Sequence, residues 1–400
     1  MQQRSNSFGG MSFLLWCALA LQLGAQLALG TVMPTKNELL KRQIGGAGTP
    51  IPAIPLCVPP QVTSPLTGSY PKSAVTTVQT GTDCTQYGDP PARVVSDLES
   101  PDGLQDLIQI CHGEIVTMTD NSGHKRSACF YANPKSTKDK PLPLLVWLHP
   151  SLAGATLSFP LTGIDAVRDT QSLNNEDASR LGFSYILPAG RNTVHQYPVP
   201  DNVGLGWDNW YRNLDRSSSA LNADVDFIDK AIAYAKGNVP VDSRRVFMSG
   251  WSNGAAMSEL YAANTDGIAA AAVYSAPDPF RDSQDPCTQV PYPKYATPVR
   301  DVHNYCDIIG ICTTGLYYYT DLKKRYPSLP QSIVVIDDLT TAITGKDGSA
   351  KCDPACQGAC GVTTGSLAHV RYPVSRNNDT FFAFMRSNPL PASGTWGPAK

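Results

Sequence analysis

The chain has no excess of charge of either sign, because 32 Lys and Arg residues are balanced by 34 Asp and Glu residues. The formal net charge is −2 over 400 residues, and neither a basic patch nor an acidic tail stands out. A protein that binds a polyanion needs such a patch, so we expect no nucleic-acid partner. With 42% hydrophobic residues, the chain is long enough to fold around a substantial core.

Long apolar runs are also scarce, and the one run that approaches membrane-spanning length lies within residues 11–29. It ends in the small-residue site Ala28–Gly30, which is typical of a secretory signal peptide over residues 1–30. A signal anchor is the alternative, but Gln22 and Gln26 weaken the run as a membrane span. We therefore expect cleavage, a secreted extracellular protein and no membrane contact afterwards.

The rest of the chain, residues 31–400, divides into three parts. Residues 31–42 end in the dibasic pair Lys41-Arg42, which is read either as the processing site of a pro-segment or as a solvated linker. Residues 43–110 are mostly rich in Pro, Gly, Ser and Thr and predict an irregular arm rather than a domain. Residues 111–400 carry the regular periodicities and are expected to form the catalytic domain.

Metal-ligand patterns are missing too. Cys352, Cys356 and Cys360 lack a CxxC pair and a histidine at ligand spacing, so we expect no metal. Of eleven cysteines, Cys17 lies in the signal. The even number that remains predicts up to five disulfides in a secreted chain, among Cys57, Cys84, Cys111, Cys129, Cys287, Cys306, Cys312, Cys352, Cys356 and Cys360. Asn378–Thr380 matches the N-glycosylation acceptor pattern.

From residue 114 onwards, apolar runs of strand length alternate with helical periodicity. A helix is predicted from Asn222 to Gly237, and a closing helix over Asp379–Met385. This alternation predicts a mostly parallel sheet with helices on both faces. The predicted strands are Glu114–Met118, Ala128–Ala132, Leu144–His149, Phe183–Leu187, Arg245–Ser249, Ile268–Tyr274, Pro298–His303 and Ser332–Asp337.

The strongest motif is Gly-Trp-Ser-Asn-Gly at 250–254, which follows an apolar strand and precedes an Ala-rich, helix-compatible stretch. This context is that of a nucleophile elbow, in which a serine hydroxyl is held where a base and an oxyanion hole both reach it. Gly250 and Gly254 remove side chains that would crowd the turn. A plain Ser/Gly turn is the alternative to Ser252 as nucleophile.

The base is expected downstream of Ser252, because α/β-hydrolases place the triad in the chain order Ser, acid, His. Two histidines qualify, His303 and His369. His369 follows the last predicted strand and precedes the closing helix, so it is the predicted base. His303 is interpreted as structural support for the loop that follows it and carries Asp307.

The acid is predicted from the His-x-x-x-Asp pattern that closes the strand at 298–303. Asp307 lies on the loop where the acid is expected, and it would orient the base. Asp337 and Asp338 end the next strand and compete for this role, although they come later than usual.

The oxyanion hole needs the N–H of the residue after the nucleophile, Asn253, and a second N–H from the loop after an early strand. The loop 148–154 occupies that place. Because Pro150 has no N–H, Ser151 is the predicted second donor.

Together, the loop at 148–154, the helix leading into Val241–Val246, the elbow, the motif at 303–307 and the late His369 resemble secreted polyhydroxybutyrate depolymerase-like and feruloyl or acetylxylan esterases. The resemblance covers residues 141–386. It implies an α/β-hydrolase fold, no cofactor, cleavage of carboxylic esters on plant polysaccharides or polyesters, and a triad of Ser252, Asp307 and His369. Two departures are Pro150, where a glycine-rich loop is usual, and Asn304, where His-Gly is usual.

Aromatic residues cluster beside this motif set. Trp207 and Trp210 lie in the polar stretch 206–211, where they would stack on an aromatic acyl group or a sugar ring, and Trp251 precedes the nucleophile. Core anchoring is the alternative for each.

The sequence therefore predicts a secreted, monomeric serine ester hydrolase that forms an acyl-enzyme. Its expected substrate is a feruloylated or acetylated cell-wall polysaccharide, with a polyester such as polyhydroxybutyrate as the alternative. Two other classes stay open. A triad alone does not separate ester from amide cleavage, which leaves a serine peptidase, and the departures at Pro150 and Asn304 leave a catalytically silent binding protein.

Overall fold

The elements that position the site lie in the part of the chain that the computed structural model describes. The predicted signal peptide, the segment 31–42, Trp210, Asp337, Asp338 and Asn378 lie outside it, as does the arm 43–110 apart from Arg93–Ser96. So do Cys57, Cys84, Cys287, Cys306, Cys352, Cys356 and Cys360. The described residues are 93–96, 111–151, 154–156, 159, 162–195, 201–209, 211, 213–277, 293–305, 307, 312–336, 369, 372–373 and 379–400.

The described strands form two sheets. A small antiparallel sheet has the order β1-β6-β7, and a larger sheet has the order β11-β10-β9-β8-β4-β5-β3-β2. The strands are β1 (Arg93–Ser96), β2 (Glu114–Thr119), β3 (Lys125–Tyr131), β4 (Leu142–Leu148), β5 (Ser184–Pro188), β6 (Arg191–His195), β7 (Asp201–Gly206), β8 (Val241–Trp251), β9 (Ala270–Tyr274), β10 (Val299–Asn304) and β11 (Gln331–Ile336).

In the larger sheet, β3 runs antiparallel to both of its neighbours and the other pairings are parallel. The chain passes from β4 to β5, which lies on one side of β4, and then returns to β8, which lies on the other side of β4. The loops that follow β4 and β8 therefore diverge at the carboxyl edge of the sheet, which is where such sheets bind ligands. This topology, with a sharp turn after β8, confirms the predicted α/β-hydrolase fold.

Central strands are apolar on both faces because helices cover both faces. Every residue of β4 is buried. Leu144, Val146 and Leu148 pack into one core cluster, whereas Leu145 and Trp147 pack into the other. Such continuous burial is typical of a parallel strand covered on both sides.

The helices are α1 (Ile164–Val167), α2 (Ala223–Asn238), α3 (Asn253–Asn264), α4 (Cys312–Arg325) and α5 (Thr380–Ser387). Residues of α2 and α3 pack on one face of the sheet, and residues of α1 and α5 on the other. The side chain of Asn222 caps α2 by accepting hydrogen bonds from the N–H groups of Asp224 and Val225.

The eight predicted strands and both predicted helices are present, and their ends differ from the predicted ends by a few residues. The largest difference is at β8, which begins at Val241 rather than Arg245. The small sheet was not expected. It places a strand, Arg93–Ser96, within the arm predicted to be irregular, and two strands in the connection before α2.

The predicted disulfide stabilisation is present at the start of the domain. Cys111 and Cys129 form a disulfide that joins the segment before β2 to β3, and Cys312 is also disulfide-bonded. Within the described ranges, no helix combines the length and the apolar character needed to cross a membrane.

Candidate active site

The turn that holds Ser252 has the geometry of a nucleophile elbow. β8 ends at Trp251 and α3 begins at Asn253, so Ser252 is the single residue between strand and helix. Its backbone angles are φ 55° and ψ −123°. Non-glycine residues rarely adopt such a conformation, and those that do cluster at functional sites. The turn exposes the serine at the carboxyl edge of the sheet, as an attacking hydroxyl requires.

Gly250 and Gly254 leave the space in which this turn closes. A Cβ on Gly250 would lie 2.5 Å from the main-chain oxygen of Gly254, and a Cβ on Gly254 would lie 2.3 Å from the main-chain oxygen of His149. Both distances are far shorter than a van der Waals contact. The two glycines therefore let the elbow pack directly against the loop that follows β4.

Asp307 and His369 form a buried hydrogen-bonded pair. The Nδ1 atom of His369 lies 3.0 Å and 3.2 Å from the two carboxylate oxygens of Asp307. Burial alone would raise the pKa of Asp307, but the His369 ring, the Ser275 hydroxyl and the nearby His303 together hold it below its ordinary value. Because the ionised carboxylate accepts a hydrogen bond from Nδ1 of His369, Nε2 is the ring nitrogen that remains to accept a proton.

The elbow and the Asp–His pair are tied together by Trp251. Its indole N–H donates to the main-chain oxygen of His369 over 3.0 Å, and the two rings lie 6.2 Å apart. The backbone of His369 is therefore held by the residue that directly precedes Ser252. Of the predicted triad, the structure joins Asp307 to His369 directly and joins His369 to the turn of Ser252 through this contact.

His303 lies near this pair but is hydrogen-bonded to Asp301 instead, in a buried contact. Its Nε2 is 2.6 Å from a carboxylate oxygen of Asp301. Burial would lower the pKa of His303, but Asp301 reverses the direction and raises it. A Cβ on Gly315 would lie 2.3 Å from Nε2 of His303, so α4 packs tightly on the ring. These contacts support the interpretation of His303 as structural support.

The loop after β4 is organised by the His149 ring. Nε2 accepts a hydrogen bond from the N–H of Gly190 over 2.8 Å, so the ring proton must lie on Nδ1. Nδ1 then donates to the main-chain oxygen of Pro150 over 2.8 Å. Since the C=O and N–H of a trans peptide point in opposite directions, this bond sets the direction of the Ser151 N–H. Burial lowers the pKa of His149 to about 4, so the ring is neutral at neutral pH.

The side chain of Asn253 clamps a second loop to the elbow. Its Oδ1 accepts from the Trp207 N–H over 2.7 Å, and its Nδ2 donates to the Trp207 oxygen over 3.0 Å. The Trp207 indole N–H in turn donates to the main-chain oxygen of His149 over 3.0 Å. Trp207 therefore braces the two loops from which the oxyanion donors were predicted.

This bracing bears on the predicted stacking residues. Trp207 and Trp251 are each 3% exposed, and both indole N–H groups are used internally. Neither ring presents a face for a ligand to stack on, so the structure favours core anchoring, the alternative that the sequence left open. Trp210 lies outside the described residues.

A buried charge cluster supports the Trp207 loop from below. Arg126 lies 2.8 Å from a carboxylate oxygen of Asp224 and 3.3 Å from one of Asp120, and Arg191 lies within 3.8 Å of both acids. The second oxygen of Asp224 accepts from the Asp208 N–H over 2.6 Å. Burial would raise the pKa of Asp224, but the two guanidinium groups lower it instead.

Sequence reasoning missed this cluster and missed Ser275. The hydroxyl of Ser275 contacts both Asp307 and His369, yet no motif surrounds it. Nothing in a single sequence distinguishes Ser275 from an ordinary small residue after a buried strand. Among the residues described, no three His, Cys, Asp or Glu side chains are grouped as a metal site would require.

Comparisons with known proteins give no closer assignment. No family model matches the chain, and no curated protein matches it in sequence. A thermostable esterase has a TM-score of 0.42 at 12% identity, with 69% of this chain and 63% of that chain covered. Acylaminoacyl peptidase from Pyrococcus horikoshii has a TM-score of 0.40 at 14% identity, with 69% and 42% covered.

Acetyl xylan esterase from Aspergillus awamori has a TM-score of 0.34 at 15% identity, with 52% of this chain and 80% of that chain covered. The chain thus spans less than two thirds of the length of the first two structures. Similarities at these TM-scores do not assign this chain to a family. The α/β-hydrolase fold is assigned from the strand order and the elbow.

Proposed function

We propose that this protein is a serine hydrolase that cleaves carboxylic esters through an acyl-enzyme. The observation that carries the proposal is the strained Ser252 turn, whose preceding residue holds the backbone of the hydrogen-bonded His369–Asp307 pair. A serine on a strained turn, a base and an acid that orients the base make up the minimum machinery for acyl transfer.

In the proposed reaction, Oγ of Ser252 attacks the ester carbonyl carbon while Nε2 of His369 takes its proton. The negative charge that develops on the carbonyl oxygen is received by the N–H groups of Asn253 and Ser151. The tetrahedral intermediate collapses, the alcohol leaves with the proton from His369, and the acyl group stays on Ser252. Water then repeats the same steps to release the acid.

The oxyanion role of Ser151 is supported by the bond between His149 and Pro150. Pro150 departs from the glycine-rich loop of the resembling esterases, and it removes one N–H from the loop. The His149 ring compensates by fixing the peptide that carries the Ser151 N–H. Asn253 is the first residue of α3, where N–H groups lack intrahelical acceptors and the helix dipole favours negative charge.

The proposal includes secretion and a polymeric ester substrate. Secretion is supported by the signal-like segment 1–30 and by the disulfide between Cys111 and Cys129, since disulfides persist in oxidising compartments. A feruloylated or acetylated plant polysaccharide is the first substrate class, on the strength of the sequence resemblance, and a polyester is the second.

The test is a substrate panel on the purified protein, made up of p-nitrophenyl acetate, p-nitrophenyl butyrate, methyl ferulate and a peptide p-nitroanilide. Ser252→Ala and His369→Ala are measured beside the wild type, and Ser184→Ala serves as a control. Ser184 is fully buried and lies at the amino edge of the sheet, away from Ser252, where its hydroxyl oxygen accepts from the Asn133 N–H.

We expect ester hydrolysis by the wild type and by Ser184→Ala, and loss of activity in the other two variants. The ratio of ferulate to acetate cleavage then ranks the substrate classes. Faster cleavage of the anilide than of any ester would replace the esterase by a peptidase. A wild type no faster than Ser252→Ala on every substrate would overturn the proposal.

A further inference from the structure

Two non-glycine residues in the described part of the chain have a positive φ, and both are serines at the carboxyl edge of the sheet. Ser252 has φ 55° and Ser275 has φ 57°. They follow the adjacent strands β8 and β9. The proposed role of Ser252 as the nucleophile accounts for its positive φ. A non-glycine residue in the left-handed region costs free energy and persists where its surroundings enforce it. The positive φ of Ser275 therefore also needs an explanation.

Main-chain hydrogen bonds fix the positions of the two serines relative to each other and to β10. The N–H of Ser252 donates to the carbonyl oxygen of Tyr274 over 3.0 Å, and the N–H of Ser275 donates to that of Val302 over 2.8 Å. The peptide between Tyr274 and Ser275 therefore connects the elbow on one side with β10 on the other. Asp307 follows β10 on that second side.

The hydroxyl of Ser275 lies where the acid and the base meet. Its Oγ is 2.8 Å from Nδ1 of His369, and it donates a hydrogen bond to the carboxylate oxygen of Asp307 that is nearer to His369. A serine hydroxyl has one donor and two acceptor sites, so it gives its proton to Asp307 and shares the Nδ1–H of His369. Ser275 itself is fully buried.

We propose that Ser275 is a positioning residue, a fourth member of the site whose hydroxyl holds the Asp307 carboxylate and the His369 ring in register. The inference rests on the proposed function. Ser275 does not touch the reacting atoms. Its positive φ aims the hydroxyl at the Asp–His pair, and the elbow and β10 hold the backbone in that conformation through the two main-chain bonds.

The charged groups around Asp307 define the expected pH effect. His369 and Ser275 contact Asp307, and His303 acts on it through space while paired with Asp301. Burial would raise the pKa of Asp307, and the Ser275 hydroxyl is one of the groups that lower it. Without that hydroxyl, the Asp307 carboxylate takes up a proton at higher pH. The acid limb of kcat/KM therefore moves to higher pH.

The experiment compares Ser275→Ala and Ser275→Gly with the wild type and with Ser184→Ala. Both Ser275 variants remove the hydroxyl, but glycine also relaxes the positive φ. Active sites are counted by fluorophosphonate titration, so that misfolded molecules do not count. Initial rates with p-nitrophenyl butyrate then give kcat, KM and the pH profile per active site, and thermal unfolding gives Tm.

We expect kcat per active site to fall roughly ten-fold to a hundred-fold in both Ser275 variants, the range for a lost hydrogen bond to a charged group. KM should change little, and the acid limb should move to higher pH. Ser184→Ala should keep the wild-type profile. A Ser275→Ala with wild-type kcat and an unmoved acid limb overturns the inference, even if its Tm falls. If Ser252→Ala is as active as the wild type, the proposed function itself has failed.

Discussion

The indole N–H of Trp251 donates to the main-chain oxygen of His369, although 118 positions separate the two residues in the chain. Trp251 is the last residue of β8 and directly precedes Ser252. Its ring is buried and packs against Tyr274 and Tyr372. One side chain therefore fixes the backbone of the proposed base relative to the proposed nucleophile, and effective catalysis depends on such positioning.

Replacing Trp251 by Phe keeps an aromatic ring and removes the hydrogen bond to His369. We expect kcat/KM to fall about five-fold, since a neutral hydrogen bond contributes ~1 kcal/mol. The matched control is Trp396→Phe, which loses a similar bond to the main-chain oxygen of Ala269. Ala269 directly precedes β9 and lies at the amino edge of the sheet, away from the site. The control should lower Tm without changing kcat/KM per active site. An equal effect of both variants on kcat/KM would argue against a special role for Trp251.

Gly254→Ala tests the contact between the elbow and the loop after β4. The added Cβ would lie 2.3 Å from the main-chain oxygen of His149 and 2.4 Å from that of Leu148. The loop must then move away with the Ser151 N–H, and we expect at least a ~100-fold loss of kcat, the cost of misplacing catalytic groups by about 1 Å.

Gly237→Ala is the control for that variant, because nothing lies within 4 Å of its Cβ position near the exposed end of α2. It should stabilise the fold by about 0.5–1 kcal/mol and leave kcat unchanged. Thermal unfolding and ester hydrolysis measure both effects. A fully active Gly254→Ala would contradict the packing of the elbow against the loop.

His149 makes the folded state sensitive to acid. Its pKa is lowered to about 4 in the folded protein by burial, whereas an unfolded histidine has a pKa of about 6.5. The unfolded state therefore binds the proton first as the pH falls, so this contribution is complete above about pH 6.5 and is lost progressively towards pH 4. The loss amounts to roughly 2 kcal/mol between pH 7 and pH 4.5.

His149→Gln tests this, because glutamine keeps a donor and an acceptor but does not titrate. Urea unfolding at pH 7 and at pH 4.5 should show a smaller loss of stability in the variant than in the wild type. His303, whose pKa is raised by Asp301 against the effect of burial, contributes with the opposite sign. Both proteins contain it, so it cancels in the comparison. Equal losses in the two proteins would mean that His149 is not the acid-sensitive group.

Asp224→Asn tests the buried charge cluster under the Trp207 loop. Asp224 and Arg126 are almost fully buried, and removing the charge of Asp224 leaves the guanidinium groups of Arg126 and Arg191 with only the Asp120 carboxylate in the cluster. We expect a loss of about 3–5 kcal/mol in the free energy of unfolding. Asp226→Asn on the same helix breaks a more exposed pair with Lys230 and should cost less than ~1 kcal/mol. Similar losses would show that the cluster does not contribute as a buried network.

Local patterns explain why the sheet, the elbow and α2 were predictable. The signal for each lies within about a dozen residues, in the period of the apolar positions, the cap at Asn222 and the glycines around Ser252. The small sheet was missed because its strands lie in polar, glycine-containing stretches, and because β1 pairs with β6 from almost a hundred residues away in the chain.

The contacts between distant residues were beyond prediction for the same physical reason. Ser275 reaches Asp307 across 32 positions and His369 across 94. The sequence left stacking on a ligand and core anchoring both open for Trp207, and the burial that favours core anchoring depends on loops brought together by the topology. A single sequence records which residues are present, whereas these roles depend on which residues meet.

Covalent capture of the nucleophile tests the assignment of Ser252. The purified protein is treated with a fluorophosphonate, digested and mapped by mass spectrometry, beside Ser252→Ala and His369→Ala. We expect one phosphonylated residue, Ser252, with no labelling of Ser252→Ala and much slower labelling of His369→Ala. Labelling elsewhere that persists in Ser252→Ala, or no labelling of the wild type, would contradict the assignment of Ser252 as the nucleophile.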